Sequence, residues 1–188
     1  MMRALIAMGW IAGMGLLVAG HASAQGVLID KSEIRFVAKQ LGVNVEGRFR
    51  RFKAHVVFRP KALANSKADF EIELGSVDLA SDDSETEVKG PLWFDVPRFP
   101  VARFTSTSFK DVGAGKYEVH GRLSVKGITR DIVVPVTITP DVGGTLVAQG
   151  SFPVKRFEFK IGEGLWADTD TVAETILVRF RMVLPQQS

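Results

Sequence analysis

Side-chain chemistry needs nucleophiles, bases or metal ligands held close together, and this sequence supplies few of them. It contains no cysteine and three histidines, His21, His55 and His120. Without cysteine there is no disulfide framework, thiolate nucleophile, cysteine-ligated metal or haem attachment. A Ser–His–acid relay requires a histidine within hydrogen-bond reach of its nucleophile. His21 falls in an apolar leader, whereas His55 and His120 alternate with apolar neighbours and so point outward from two separate strands. No G-x-S-x-G, H-E-x-x-H or P-loop spacing occurs. The acidic cluster Asp82, Asp83, Glu85 and Glu87 lacks the spacing and turn glycine of an EF-hand, and reads as a solvated helix start. Asp69, Glu71 and Glu73 alternate with apolar residues and face water, not the protected cleft that paired glycosidase carboxylates require. "KIGEGLWADTD" (160–170) reads as a turn with an aromatic plug and only weakly as a phosphate cradle. The residues therefore point to a protein that is not an enzyme and carries no metal or cofactor.

What the chain has instead is alternation. In "ADFEIEL" (68–74) every second residue is apolar and each residue between is acidic. A pleated strand sends these sets to opposite faces, one oily and one wet. The pattern recurs around Ile34-Phe36-Ala38, Phe52-Ala54-Val56-Phe58, Tyr117-Val119-Gly121-Leu123-Val125, Leu146-Ala148-Gly150-Phe152-Val154 and Val172-Ile176-Val178-Phe180-Met182. Residues 101–109 and 130–138 add two less regular runs, and Pro135 in the second predicts an edge or a bulge. The spacing predicts about eight strands separated by turn signals, an all-β chain that closes as an antiparallel eight-stranded barrel. Residues 81–100, "SDDSETEVKGPLWFDVPRFP", break the period of two. Ser81–Ser84 offer N-cap side chains, the acids suit a helix N-terminus, and Gly90-Pro91 ends the turn, so a short helical crossover is expected, with "LWFDV" as a second short turn. A long crossover in a compact barrel usually serves as a lid or binding loop.

Arg3, the apolar run Ala4–Ala19 and the ending "HASAQG" form a cleavable secretory signal, residues 1–24, with Ala22 and Ala24 as the small residues before the cut. Residues 25–188 then make one exported domain, expected in the periplasm. The formal net charge of the chain is +3, spread along the strands and not gathered into the basic face that nucleic-acid binding requires. Outward apolar residues Val37, Val57, Val133 and Leu177 could form a homodimer interface, although scattered exposed apolar residues are also normal.

The apolar rows face a shared interior. Small inward residues (Ala38, Ala54, Gly121, Ala148, Gly150) lie among its phenylalanines. An eight-stranded barrel is wide enough to be filled by side chains or to hold one slender ligand, and composition leaves both open.

At this point the chain resembles the YceI-like family of exported, lipocalin-like barrels that bind polyisoprenoids. The resemblance runs from about Val27 to Leu184. Its carriers are "LGVNVEGRFRRFKAHVVF", "ELGSVDL", "WFDVPRFPVARFTSTSF" and "GRLSVKGITRDIVVPV", in that order. It implies a lumen that takes a long isoprenoid or acyl chain with the headgroup near the mouth. Lumen contacts would come from Phe36, Phe52, Phe70, Ile72, Leu74, Phe104, Leu123, Phe152 and Phe180. Trp93 and Phe94 on the crossover and Trp166 on the last long loop would stand at the mouth. Many members carry Arg-Asp-x-His-Leu in the crossover. Here Ser84-Glu85-Thr86-Glu87-Val88 stands in its place, so no role of that histidine carries over. "SETEVKGPLWFDV" and "FKIGEGLWADTDTVAETILVRFRM" resemble a proteobacterial subgroup linked to di-haem b-type membrane cytochromes. That implies a ubiquinone-type cargo. It also implies an alternative role, an accessory scaffold docking on such a cytochrome or another envelope complex.

Overall fold

The computed structural model describes residues 26–185, so the expected secretory signal and its cleavage site lie outside the described residues. Ten strands form one antiparallel sheet: β1 (Glu33–Gln40), β2 (Val43–Phe49), β3 (Phe52–Val57), β4 (Lys67–Glu73), β5 (Val77–Asp78), β6 (Val101–Gly113), β7 (Lys116–Val125), β8 (Ile128–Pro140), β9 (Thr145–Lys155) and β10 (Thr175–Pro185). Their order across the sheet is β3-β4-β6-β7-β8-β9-β10-β1-β2-β5. The sheet curls into a half-barrel whose concave face carries the apolar rows.

The all-β antiparallel expectation holds, but the count is ten strands and not eight. The two additional strands are β2 and β5. β2 was diluted by Asn44, Glu46 and Gly47, and β5 has only two residues. Both lie at a corner. Inward residues of β2 fall at odd positions as far as Phe49, those of β3 at even positions from Phe52, and the row Ala68–Leu74 gives way in the same manner to Val77. Each change of parity marks a break in the pleat. β2 therefore pairs with β5 while β3 pairs with β4, on either side of the bend. Ser76, buried at the bend, accepts the Arg51 N–H at 3.0 Å and donates to the Glu73 carbonyl at 2.6 Å. Arg50 N–H to Ser76 O (3.0 Å) and Glu73 N–H to Arg51 O (3.1 Å) complete the backbone pairing there.

Pro135 occupies a local edge, one of the two positions expected, with no bulge in its pairing to β7. β8 lies inside the sheet, yet its ladder to β9 begins only at Thr137↔Gln149, so the missing N–H falls where β8 has no β9 partner. The crossover forms α1 (Asp82–Lys89), with the Ser81 hydroxyl accepting the Ser84 N–H and Gly90 ending the helix. The segment "LWFDV" forms turns, as expected. The candidate dimer residues do not share a patch. Val37 and Leu177 are cross-strand neighbours on β1 and β10, but Val57 on β3 is separated from Val133 on β8 by three strands.

Candidate functional site

The concave face encloses an almost wholly apolar cavity of about 570 Å³. Along β10 the lining runs from Ile176 to Leu184, roughly 26 Å at the usual rise of a strand. Of the residues expected to meet a ligand, Phe36, Phe70, Ile72, Leu74, Phe94, Phe104, Leu123, Phe152 and Phe180 line this cavity, as do Trp93 and Trp166. Phe52 does not. It is the first residue of β3, at the corner opposite Ile72, and its 8% exposed ring is spent on core packing.

The small residues among the phenylalanines have a different use from simply leaving room. A Cβ on Gly121 would lie 2.4 Å from the Phe104 ring, one on Gly47 2.4 Å from Phe36, and one on Gly150 2.8 Å from Phe180. Each of these rings therefore lies against a glycine on the neighbouring strand. Seated in that way, a ring lies along the wall, and the lumen stays open. Phe49, Phe58 and Phe109 also line the cavity and were not expected there as ligand contacts. Their alternation with polar neighbours was the available signal.

One end of the cavity is closed by α1, the turn after it and the loop 161–172. Leu92 O accepts the N–H groups of Gly162 (2.8 Å) and Glu163 (3.0 Å), so turn and loop are tied backbone to backbone. Lys126 Nζ donates to Pro91 O at 3.0 Å and to Lys160 O at 2.7 Å, fixing both to the β7–β8 turn. Trp93 and Trp166 meet edge to face with centroids 5.5 Å apart. Trp166 Nε1 donates to Glu87 Oε1 at 2.7 Å, while Trp93 Nε1 is buried without an acceptor among the described residues. Phe94 packs against Phe49 at 6.1 Å, which seats the turn on β2.

The organising residue of this end is Arg156, which sequence reasoning missed. Its side chain is fully buried, 0% exposed. Nε donates to Ala173 O (3.2 Å), one terminal nitrogen to Ile161 O (3.0 Å) and Gly162 O (2.6 Å), and the other to Trp166 O (2.6 Å) and Val172 O (2.8 Å). All five N–H donors of the guanidinium are thus met by backbone carbonyls of one loop. Phe157 covers one side with its ring centroid 4.0 Å from Cζ. Burial pushes the Arg156 pKa below its ordinary value, opposed by the charge of Glu174. Its sequence signal was weak, a single basic residue at the end of an alternating strand.

The polar lining at the mouth comes from Gln40, Asp83, Ser84, Glu87 and Arg156. Asp83 and Glu87, one turn apart on α1, are exposed, as expected of a solvated helix start, and also border the cavity. His55 and His120 lie on β3 and β7, and neither lines the cavity. The arrangement can take an elongated apolar molecule, with a polar end near the two tryptophans. It offers no nucleophile–base pair.

The YceI-like domain model matches residues 27–184. A UPF0312 protein of Shewanella denitrificans is 30% identical over 168 residues, covering 81% of this chain and 86% of that protein. The crystal structure of BcnA from Burkholderia cenocepacia is similar with a TM-score of 0.81 and 37% identity, covering 84% of this chain and 98% of BcnA. A domain from Saccharophagus degradans, described as polyisoprenoid-binding and implicated in plant cell wall breakdown, superposes with a TM-score of 0.71. At 17% identity, over 87% of this chain and 99% of that domain, it is a likeness of fold. With the matched model spanning nearly all the described residues, the chain belongs to the YceI-like domain family.

Proposed function

We propose that this protein is a periplasmic carrier that holds a long-chain isoprenoid lipid, of polyprenyl or ubiquinone type, in the lumen of its curled sheet, and that it is a binding protein and not an enzyme. The observation that carries the reading is the apolar cavity of about 570 Å³, which the Trp93–Trp166 pair lines at one end. Removing apolar area from water stabilises a bound chain by about 25 cal/mol per Å², so a long tail needs few polar contacts. The fold shared with a polyisoprenoid-binding domain supports the same class of ligand. Titration with geranylgeraniol, followed by tryptophan fluorescence, tests it. Phe70→Asp and Phe152→Asp each place a carboxylate in the lumen and should abolish binding while the far-UV spectrum stays all-β. Two folded variants that keep wild-type affinity would remove the lumen from the account.

A second reading, an accessory scaffold docking on a membrane b-type cytochrome or another envelope complex, draws on one observation. Leu41 and Val43 at the β1–β2 turn and Leu165 in the loop 161–172 stand 72%, 66% and 89% exposed. Retention on membranes by a purified protein that takes up no lipid would favour it.

A further inference from the structure

The two tryptophans at the mouth are not equivalent. Trp166 has an acceptor for its indole N–H in Glu87, whereas Trp93 has none and its Nε1 is buried. A buried donor left unpaired is a standing cost that an incoming acceptor removes. The charges around it restrict what that acceptor can be. The charged residues in the cavity wall are Asp83, Glu87 and Arg156. Arg156 has every N–H committed to a carbonyl, so it has no donor left for an anion. Lys126, which fastens this end, is committed to Pro91 O, Lys160 O and the Glu163 carboxylate. In the cavity wall a phosphate would meet two carboxylates and no free cationic donor among the described residues. An uncharged carbonyl, ether or hydroxyl oxygen meets no such penalty and satisfies the indole.

We propose that the mouth is a headgroup site selective for an uncharged, hydrogen-bond-accepting oxygen, with the Trp93 Nε1–H as its donor. Trp166, edge to face with Trp93, is the side chain that gives way as the headgroup enters. The inference rests on the lipid-carrier reading and names the class of lipid within it: neutral isoprenoids, such as quinones or polyprenols, and not polyprenyl phosphates.

The test uses three probes with one geranylgeranyl tail: the methyl ether, the phosphate, and the hydrocarbon without a headgroup. The wild-type protein should bind the ether about five-fold more tightly than the hydrocarbon, the effect of one ordinary hydrogen bond, and the phosphate most weakly. Trp93→Phe should bind the ether and the hydrocarbon with equal affinity, whatever the variant costs both through lost contact with the tail. A phosphate bound more tightly than the ether, or a Trp93→Phe variant with undiminished preference for the ether, overturns the proposal. If the variant does not fold, the indole ¹⁵N–¹H signal of Trp93 in the wild type decides. A downfield proton shift with the ether and not with the hydrocarbon supports the donor role, and equal responses contradict it. Failure of all three probes to bind would instead sink the carrier reading, which keeps the two failures apart.

Discussion

Trp166 and Glu87, 79 positions apart in the chain, are joined by a 2.7 Å hydrogen bond from indole Nε1 to carboxylate Oε1. Both residues line the cavity, one on the loop 161–172 and one on α1. The bond is the side-chain tie between the two walls of the mouth, and it lies at the surface. It is therefore placed to govern exchange more than stability. Glu87→Ala should speed the release of a bound lipid by about three- to ten-fold while costing less than about 1 kcal/mol of folding free energy. Stopped-flow displacement and thermal melts measure the two quantities. An unchanged release rate would mean that the walls are held by the backbone bonds at Leu92 alone.

Arg156 should behave in the opposite manner, as a residue of stability. Arg156→Leu removes five donors at once and strands buried carbonyls of the loop, a loss of at least about 3 kcal/mol. Arg156→Lys should recover only part of this, since an ammonium has three donors and no planar fork. Urea denaturation gives the magnitude. Amide exchange should be fastest within 161–173 in both variants, and full rescue by lysine would contradict the carbonyl-cage account.

The glycines that seat the rings predict a graded series. At Gly150 a Cβ would meet the Pro135 carbonyl oxygen at 2.1 Å, a backbone atom that cannot turn aside. At Gly47 the nearest atom is the edge of the Phe36 ring, at 2.4 Å. Gly150→Ala should therefore destabilise by about 1–3 kcal/mol or more through overpacking. Gly47→Ala should cost less, push Phe36 into the lumen and weaken lipid binding. Equal stability losses in chemical denaturation, with no loss of affinity at Gly47→Ala, would show that the rings are not held against the wall.

At the corner, Asp78 accepts hydrogen bonds from Arg50, at 2.7 Å, and from Arg48. These bonds, that from Arg50 foremost, hold its carboxyl well below the usual carboxylate range, and the same bond raises Arg50. A carboxyl depressed in the folded state stabilises above its unfolded value and loses that contribution as pH falls toward the folded one. Asp78→Asn should therefore be less stable than wild type at pH 7. The gap should narrow progressively below about pH 4, where the unfolded carboxyl begins to protonate. A gap independent of pH in parallel urea melts would assign the loss to shape and not to charge.

Much of this architecture could be read from alternation, because a half-buried strand must separate its oily and wet residues. The inward rows through Phe36, Phe70, Phe104, Phe152 and Phe180 reach the cavity as the period of two implies. The corner was harder to read. Its signal is a parity change across Arg50-Arg51 and between Leu74 and Val77, with no proline to mark the bend, and it left Phe52 in the core and two strands uncounted. Arg156 was not legible at all, since its partners are five carbonyls and no side chain announces them. The role of Glu87 was hidden for a similar reason: its acidic neighbours look solvated until the fold brings Trp166 to it from 79 positions away.

The most direct test of the central claim is native mass spectrometry of the full chain exported and purified without added lipid, followed by organic extraction. The account predicts one adduct per protein, with the extracted lipid showing an isoprenoid mass ladder and an uncharged headgroup. A folded protein that emerges empty, and that also takes up no added geranylgeraniol, would contradict it.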